Sequence, residues 1–317
     1  MGKVIGSNPI PGTRFKQDPF ARMPGMKRGL FFCGNGDFMR AFIFGSKGQL
    51  GKAFARRFEK EGWEYLGADS DELDVTNPVQ VTEALSIYRP GLIINCSAYN
   101  QVDLAESNQK LAMDVNGYAL RSIGMEAKKF ETTLVHFGTD YVFDGSKKAP
   151  YTEQDSPNPL NAYGKSKLLG EKYALEPMGA SVFRLSWVYG EGKQNFIYKV
   201  RQWAEKEGPL KIADDEISVP TYTEDVVDAV MAAMQRGLSG LWHLPGSGVC
   251  SRYEWAKEII RLAGIDKEIL PAKMADFPAA AKRPGYSAMD NSALCRELGI
   301  KIPYWKDSLA KFMLGKN

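Results

Sequence analysis

From residue 40 onward the apolar and polar positions follow two alternating periods. Short unbroken apolar runs stand at "RAFIF" (40–44), "EYLGA" (64–68), "GLIINC" (91–96), "TTLVHF" (132–137) and "SVFRLS" (181–186). Their length and their β-branched and aromatic content predict strands. Helix-period stretches lie between them at 49–61, 77–88, 108–129 and 162–175. Strands that are apolar on both faces and alternate with helices predict a parallel sheet covered on both sides, with ligands bound beyond the carboxyl ends of its strands. After about residue 190 the alternation breaks down. Helices are predicted at 194–206, 223–236, 251–263 and 290–298, with short strands near 210–213 and 241–244. The expected fold is α/β: a Rossmann-like, doubly wound parallel sheet over 39–190. A smaller C-terminal α/β lobe follows over 191–317, with some chain returning to the sheet.

Residues 1–38 do not fit this pattern. They hold seven glycines and four prolines and no usable period. Their apolar patch "GLFFCG" is shorter than the ~7–15 residues of a signal-peptide core. The segment reads as a leader or tag, vector-derived or from upstream translation, with Met39 as the natural start. The alternative is an extension that docks on a partner.

Charge then changes the picture. The chain carries 41 basic and 38 acidic residues, but residues 1–38 hold six of the former and two of the latter. The remaining body has 35 basic and 36 acidic residues, is close to neutral, and lacks a nucleic-acid footprint. No apolar run approaches the ~20 residues of a membrane helix. The cysteines (Cys33, Cys96, Cys250, Cys295) form no CxxC pair and there are two histidines. Neither a zinc site nor a disulfide framework is expected, and reduced thiols point to the cytoplasm.

The turn after the first strand reads "FGSKGQLG", with Gly45, Gly48 and Gly51 at GxxGxxG spacing. Such glycines permit a tight turn, close approach to a pyrophosphate and close helix–strand packing, and the helix N-terminus faces the phosphates. Lys47, Gln49 and Leu50 belong to the same cofactor loop. Asp69 follows the second strand, where a carboxylate accepts hydrogen bonds from ribose hydroxyls and favours NADH, whereas Lys47 favours the 2′-phosphate of NADPH. The choice stays open. Asp74 and Val75 stand where an adenine can rest, and a capping role is the alternative for Asp74.

"LVHFGTDYVFDGSKKAPYTEQDSPNPLNAYGKSK" (134–167) carries the chemistry. Tyr163 and Lys167 lie four apart on one helix, hence on one face. A tyrosine is a poor acid, with a reference pKa near ~10. A lysine beside it favours the phenolate and lowers that value. Thr139, just past a strand end, can hold a carbonyl oxygen. Together these are the parts of a carbonyl reductase: Tyr163 as proton donor, Lys167 tuning it and holding the nicotinamide ribose, Thr139 orienting the ketone.

The chain resembles the dTDP-4-dehydrorhamnose reductase family of extended short-chain dehydrogenases/reductases. The matching segments are "GSKGQLG", "ELDVTN", "LIINCSAYNQVDLAE", "VHFGTDYVFDG", "NPLNAYGKSKLLGE", "FRLSWVYG", "NF" (195–196), "PT" (220–221) and "RPGYSAMDNSAL", in order over nearly all of 39–317. The resemblance implies reduction of the C4 ketone of dTDP-4-dehydro-L-rhamnose by NADPH or NADH. It places Ser97, Ala98 and Tyr99 along the cofactor, and Tyr141, Trp187 and Asn195 on the substrate. Trp187 is expected against the sugar ring, or else packed between the lobes, and Asn195 at the phosphates. Arg283 is expected either at the diphosphate or in a structural salt bridge. Related 4,6-dehydratases carry Thr-Asp-Glu, so Thr139-Asp140-Tyr141 argues for plain ketone reduction; Asp140 is then expected to bind a sugar hydroxyl or support the proton relay, with a turn cap as the alternative. The family also implies a homodimer and a linked Mg2+, for which no residue is assigned. One departure stands out: where members read Asp-Gln-x-Gly-x-Pro-Thr, this chain has Glu216 and Ser218, which leaves the sugar and base open. A different nucleotide ketosugar is one alternative. A second is an epimerase or dehydratase acting on a related nucleotide sugar. A non-catalytic homologue like the regulatory β subunit of methionine adenosyltransferase is another.

Overall fold

The computed structural model describes residues 40–315. The leader, the start at Met39 and Cys33 lie outside them. The chain runs β1 (Arg40–Phe44), α1 (Gln49–Glu61), β2 (Glu64–Ala68), α2 (Pro78–Tyr88), β3 (Leu92–Asn95), α3 (Val102–Ser107), α4 (Gln109–Met113), α5 (Ala119–Lys129), β4 (Thr133–Thr139), α6 (Ala162–Ala174) and β5 (Ser181–Leu185). There follow β6 (Val188–Tyr189), α7 (Phe196–Ala204), β7 (Leu210–Ala213), β8 (Ile217–Ser218), β9 (Thr221–Tyr222), α8 (Thr223–Gln235) and β10 (Gly240–His243). The chain ends with β11 (Cys250–Ser251), α9 (Arg252–Ala263), β12 (Ile269–Ala272), α10 (Ser292–Leu298) and α11 (Trp305–Leu314).

Six strands form one sheet in the order β10-β5-β4-β3-β1-β2, every neighbouring pair parallel. The chain leaves β1 to one side for β2 and returns on the other for β3. The crevice beyond the carboxyl ends of β1 and β3 is therefore a ligand position. One face is covered by Phe54 and Phe58 of α1 with Val226 and Val230 of α8, the other by Val81 and Leu85 of α2 with Leu120 and Ile123 of α5. Each such fully buried side chain contributes ~1.5–3 kcal/mol. A separate core of Tyr189, Ile197, Val219, Trp255 and Trp305 holds the second lobe.

The doubly wound sheet is as expected, and β10 is the returning chain: its Gly240–His243 pairs with Ser181–Arg184. The expected single helix over 108–129 is three pieces. Between α4 and α5, residues Asp114–Tyr118 take a π turn, and the Asn116 side chain there bonds outward to Tyr99 and Ser166. The carbonyl of Asn116 also comes so near α6 that a side chain on Gly170 would meet it at 2.0 Å. Hydrophobic period alone does not report such a bulge. α3 and α11 escaped the pattern reading because α3 is one and a half turns long, while α11 begins without a side-chain cap.

Candidate active site

The glycine turn is built by exclusion. Gly45 sits at φ +73°, and a side chain there would meet the backbone of Ser97 at 2.7 Å. One on Gly51 would meet the Gly45 carbonyl at 2.2 Å. β1, β3 and the start of α1 can thus touch only through glycine. α1 begins with Gly48 as N-cap, without a side-chain cap and without an acid in its first turn. Its first amides are left to meet an anion.

Beside this turn lies an inner cavity of about 330 Å³, lined by Gly48, Gln49, Leu50, Gly51, Asn95, Cys96, Ser97, Ala98, Asn100, Phe137, Gly138, Thr139, Asp140, Tyr163, Lys167, Leu185, Trp187, Val188 and Gln194. The expected Gln49, Leu50, Ser97 and Ala98 line it. Gly45, Lys47, Asp69, Asp74, Val75 and Tyr99 stand outside the lining. Asp69 accepts the Lys47 amide at 3.0 Å and holds its own turn through Ser70. The Lys47 ammonium lies at 2.6 Å from Asp71, which neutralises the charge expected for a 2′-phosphate. Asp74 holds its own turn by accepting from the amide and hydroxyl of Thr76, while the helix cap weighed for it is Asn77. Val75 packs against the core beneath α2. Tyr99 is held by its backbone to Asn116 and packs beside Tyr163.

α6 delivers Tyr163 and Lys167. Asn161 caps it by accepting the Gly164 amide, and Glu106 of α3 takes the Ala162 amide at 2.7 Å. Gly164 permits contact with the 139–142 turn, since a side chain there would meet the Tyr141 carbonyl at 2.2 Å. Lys167 is 3% exposed and donates to the Phe137 carbonyl at 2.6 Å. Burial lowers its pKa to about 8, opposed by Glu171 one turn on, which Arg184 holds at 2.8 Å.

Two expectations change here. Tyr163 is not brought toward neutrality: burial pushes it up to about 12, and only its bond with Thr139 offsets that. Lys167 is directed at a main-chain carbonyl instead. Thr139 is not a free donor either. Its hydroxyl meets Asp140 at 3.2 Å and Tyr163, and accepts the Tyr141 amide at 3.2 Å. Its one proton serves Asp140, Tyr163 or a substrate oxygen, not all three.

Asp140 is more than a turn cap. It is 2% exposed and accepts Ser218 at 2.9 Å and Ser287 at 2.5 Å, both from the second lobe. Burial raises its pKa to about 6 against these bonds and the nearby Arg252.

An outer cavity of about 780 Å³ joins the inner one at Trp187, Val188 and Gln194, which line both. Its wall carries Lys199 and Lys211 near the rim, and Arg252, Arg283, Glu216, Trp203 and Trp255 within. Trp187, at φ +42°, stacks on Trp255 with ring centroids 5.5 Å apart, so it packs in the core of the second lobe and also lines both cavities. Tyr141 packs edge-on to Tyr163 and reaches Glu216 at 3.4 Å. Arg283 lines the cavity but is paired with Asp103 at 2.6 Å, so a structural salt bridge is what it makes. The side-chain oxygen of Asn195 caps α7 through Tyr198, and its amide bonds Gln49, Gly190 and Gly192. These bonds fix the seam between α1 and α7, and Asn195 also stands in the lining of the outer cavity.

Sequence reasoning missed Asn116, Glu106 and Arg252. The π turn and the two partner segments that make them matter have no local signal. Among the described residues no group of three His, Cys, Asp or Glu stands together for a metal, so the expected Mg2+ has no site there. Among the same residues no helix is long and apolar enough to cross a membrane.

Comparison with known proteins agrees. The family model described as "RmlD substrate binding domain" matches residues 39–315. A spore coat polysaccharide biosynthesis protein SpsK of Bacillus subtilis is 31% identical over 86% of this chain and 96% of its own. A probable dTDP-4,6-dihydroxy-2-methyloxan-3-one 4-ketoreductase of Streptomyces antibioticus is 34% identical, covering 79% of this chain and 86% of its own. The crystal structure of dTDP-4-dehydrorhamnose reductase from Bacillus anthracis in complex with NADP superposes with a TM-score of 0.84 at 32% identity, over 88% of this chain and 99% of that one. The chain belongs to the RmlD substrate-binding domain family, and it is an oxidoreductase.

Proposed function

We propose that this protein reduces the C4 ketone of dTDP-4-dehydro-L-rhamnose to dTDP-L-rhamnose with NADPH or NADH, in the synthesis of a rhamnose-containing surface polysaccharide. The observation that carries the reading is the junction of the two cavities. Thr139, Tyr163 and Lys167 line the inner one, and Trp187 opens it onto a larger cavity rimmed by cations. Residues 40–190 hold the cofactor and 191–315 mainly the sugar nucleotide, with β10 as the exception.

The residues present fit a nicotinamide dinucleotide. The glycine turn leaves room for a pyrophosphate and the uncapped amides of α1 face it. When bound, the reduced nicotinamide supplies a hydride. The chain does the rest. Lys167 would hold the nicotinamide ribose, its ammonium fixed on the Phe137 carbonyl one helical turn from Tyr163, and Tyr163 would give its proton to the ketone oxygen. Thr139 turns its hydroxyl toward the ketone oxygen, releasing Asp140 to its two serine donors. Trp187 carries the sugar ring between the cavities, and Lys199 and Lys211, which have no ion-pair partner among the described residues, meet the diphosphate.

A second reading, reduction of another dTDP-linked ketosugar, is favoured by the 34% identity to the Streptomyces 4-ketoreductase. A regulatory role without catalysis leaves the full set of Thr139, Tyr163 and Lys167 without a purpose. The test is oxidation of NADPH and NADH at 340 nm with a panel of dTDP-4-ketosugars. Substrate-dependent loss of absorbance, greatest with dTDP-4-dehydro-L-rhamnose, supports the proposal. Greater loss with another ketosugar favours the second reading, and none with any ketosugar overturns both.

A further inference from the structure

β8 and β11 pair antiparallel, with Ser251 opposite Ile217 and Cys250 opposite Ser218. This short ladder sets the residues just outside it side by side. The Arg252 amide donates to the Glu216 carbonyl at 3.1 Å. Their side chains then meet in the outer cavity, Nη2 of Arg252 to Oε1 of Glu216 at 3.3 Å. The pair is largely buried, with side chains 18% and 13% exposed.

The guanidinium lies over the Trp187 ring, 3.7 Å from its centroid, and 5.6 Å from that of Trp255. Trp255 stacks on Trp187 almost parallel, at 6°. Groups on opposite faces of Trp187 would be separated by both stacking distances, so Arg252 and Trp255 share one face. Trp187 itself lines both cavities, where its indole edge or face can meet a sugar ring. At the far side Glu216 also takes the Tyr141 hydroxyl at 3.4 Å, and Tyr141 touches Tyr163 with ring centroids 5.9 Å apart. A buried carboxylate and guanidinium therefore stand one residue away from the proton donor, beside the ring platform.

The chemistry of the pair narrows what it can bind. Glu216 cancels the charge of Arg252 and repels phosphate, so a diphosphate belongs with Lys199 and Lys211. What remains is acceptor capacity on Glu216 and several unused N–H donors on Arg252. We propose that Glu216 and Arg252 recognise the vicinal hydroxyls of an uncharged sugar ring and are the residues by which this enzyme selects its sugar. The inference rests on the nucleotide-sugar reading above.

The test is calorimetric titration of the NADP+-loaded protein with dTDP, with dTDP-L-rhamnose and with its 2-deoxy analogue. A site that hydrogen-bonds a hydroxyl rejects a ligand lacking it strongly. Wild type is expected to prefer the diol ligand by roughly tenfold or more, the scale of one charge-assisted hydrogen bond. Glu216→Gln is expected to reduce that preference to about twofold or less, with dTDP affinity unchanged. Arg252→Lys keeps the charge but loses the planar fork, and is expected to do the same. An unaltered preference in both variants overturns the proposal, as does equal weakening of dTDP. If wild type binds neither sugar nucleotide, the nucleotide-sugar reading itself fails. Binding of both without a preference sinks only the selection by Glu216 and Arg252.

Discussion

The inner and outer cavities share one wall at Trp187 and are made in opposite ways. The inner one is built from main chain and close approach: glycines where any side chain would collide, helix amides without caps, a lysine on a carbonyl. The outer one is built from long side chains neutralised in pairs, Arg283 with Asp103 and Arg252 with Glu216. A site made of backbone fixes the position of a cofactor common to many enzymes. A site made of paired side chains can be re-specified by one substitution. The contrast predicts that inner changes act on turnover and outer changes on affinity for the sugar nucleotide.

The largest effect is expected at Tyr163. Tyr163→Phe should lower kcat by about 10²–10⁴, the scale of a lost general acid, with NADPH affinity nearly intact by fluorescence titration. Unchanged turnover would remove Tyr163 from the proton path and with it the distinction between the cavities.

Next is the pair Lys199 and Lys211. Converting both to alanine should raise KM for the sugar nucleotide by roughly tenfold and leave kcat and NADPH affinity within about twofold, since uniform binding is what is lost. A fall in kcat with KM unchanged would mean that the outer wall acts on chemistry.

Asp140 joins the two regions, and its expected signature is in the pH profile. Its pKa is raised to about 6, so the carboxylate that anchors Ser218 and Ser287 is lost as pH falls below that value. Lys167, lowered to about 8, loses its positive charge above it. The profile of kcat/KM should therefore decline on both sides of a plateau between about 6 and about 8. Asp140→Asn should remove the acid limb and keep the alkaline one. An acid limb that persists in Asp140→Asn assigns it to another group.

The same contrast governs what was legible in the sequence. The glycine spacing, the strand–helix alternation and the Tyr163–Lys167 face were readable because each rests on a local rule of backbone or helix geometry. The capping and seam bonds of Asn195 could not be read in advance, because they depend on the carbonyls of Gly190 and Gly192 and on Gln49, which is 146 residues away. The pairing of Glu216 with Arg252 spans 36 residues and depends on a ladder of two short strands, below any periodic signal. Tyr163 is pushed up to about 12 because burial outweighs its bond with Thr139, while the Lys167 ammonium is engaged by the Phe137 carbonyl.

The smallest effect is expected at Asp69, where the carboxylate already accepts the Lys47 amide. Asp69→Ala should shift the ratio of NADH to NADPH efficiency by less than about tenfold, against NADH. An unaltered ratio would mean that the carboxylate serves only its turn.

The proposed reduction makes two transfers to one ketone: hydride to C4 from the inner cavity, and a proton from Tyr163 to the oxygen on that carbon. The direct test is turnover with reduced cofactor deuterated at the transferred position, with the recovered dTDP-sugar analysed by NMR. One deuterium at sugar C4 is expected for each cofactor oxidised. Sugar turned over with no net oxidation of cofactor, or deuterium at any other carbon, would contradict it.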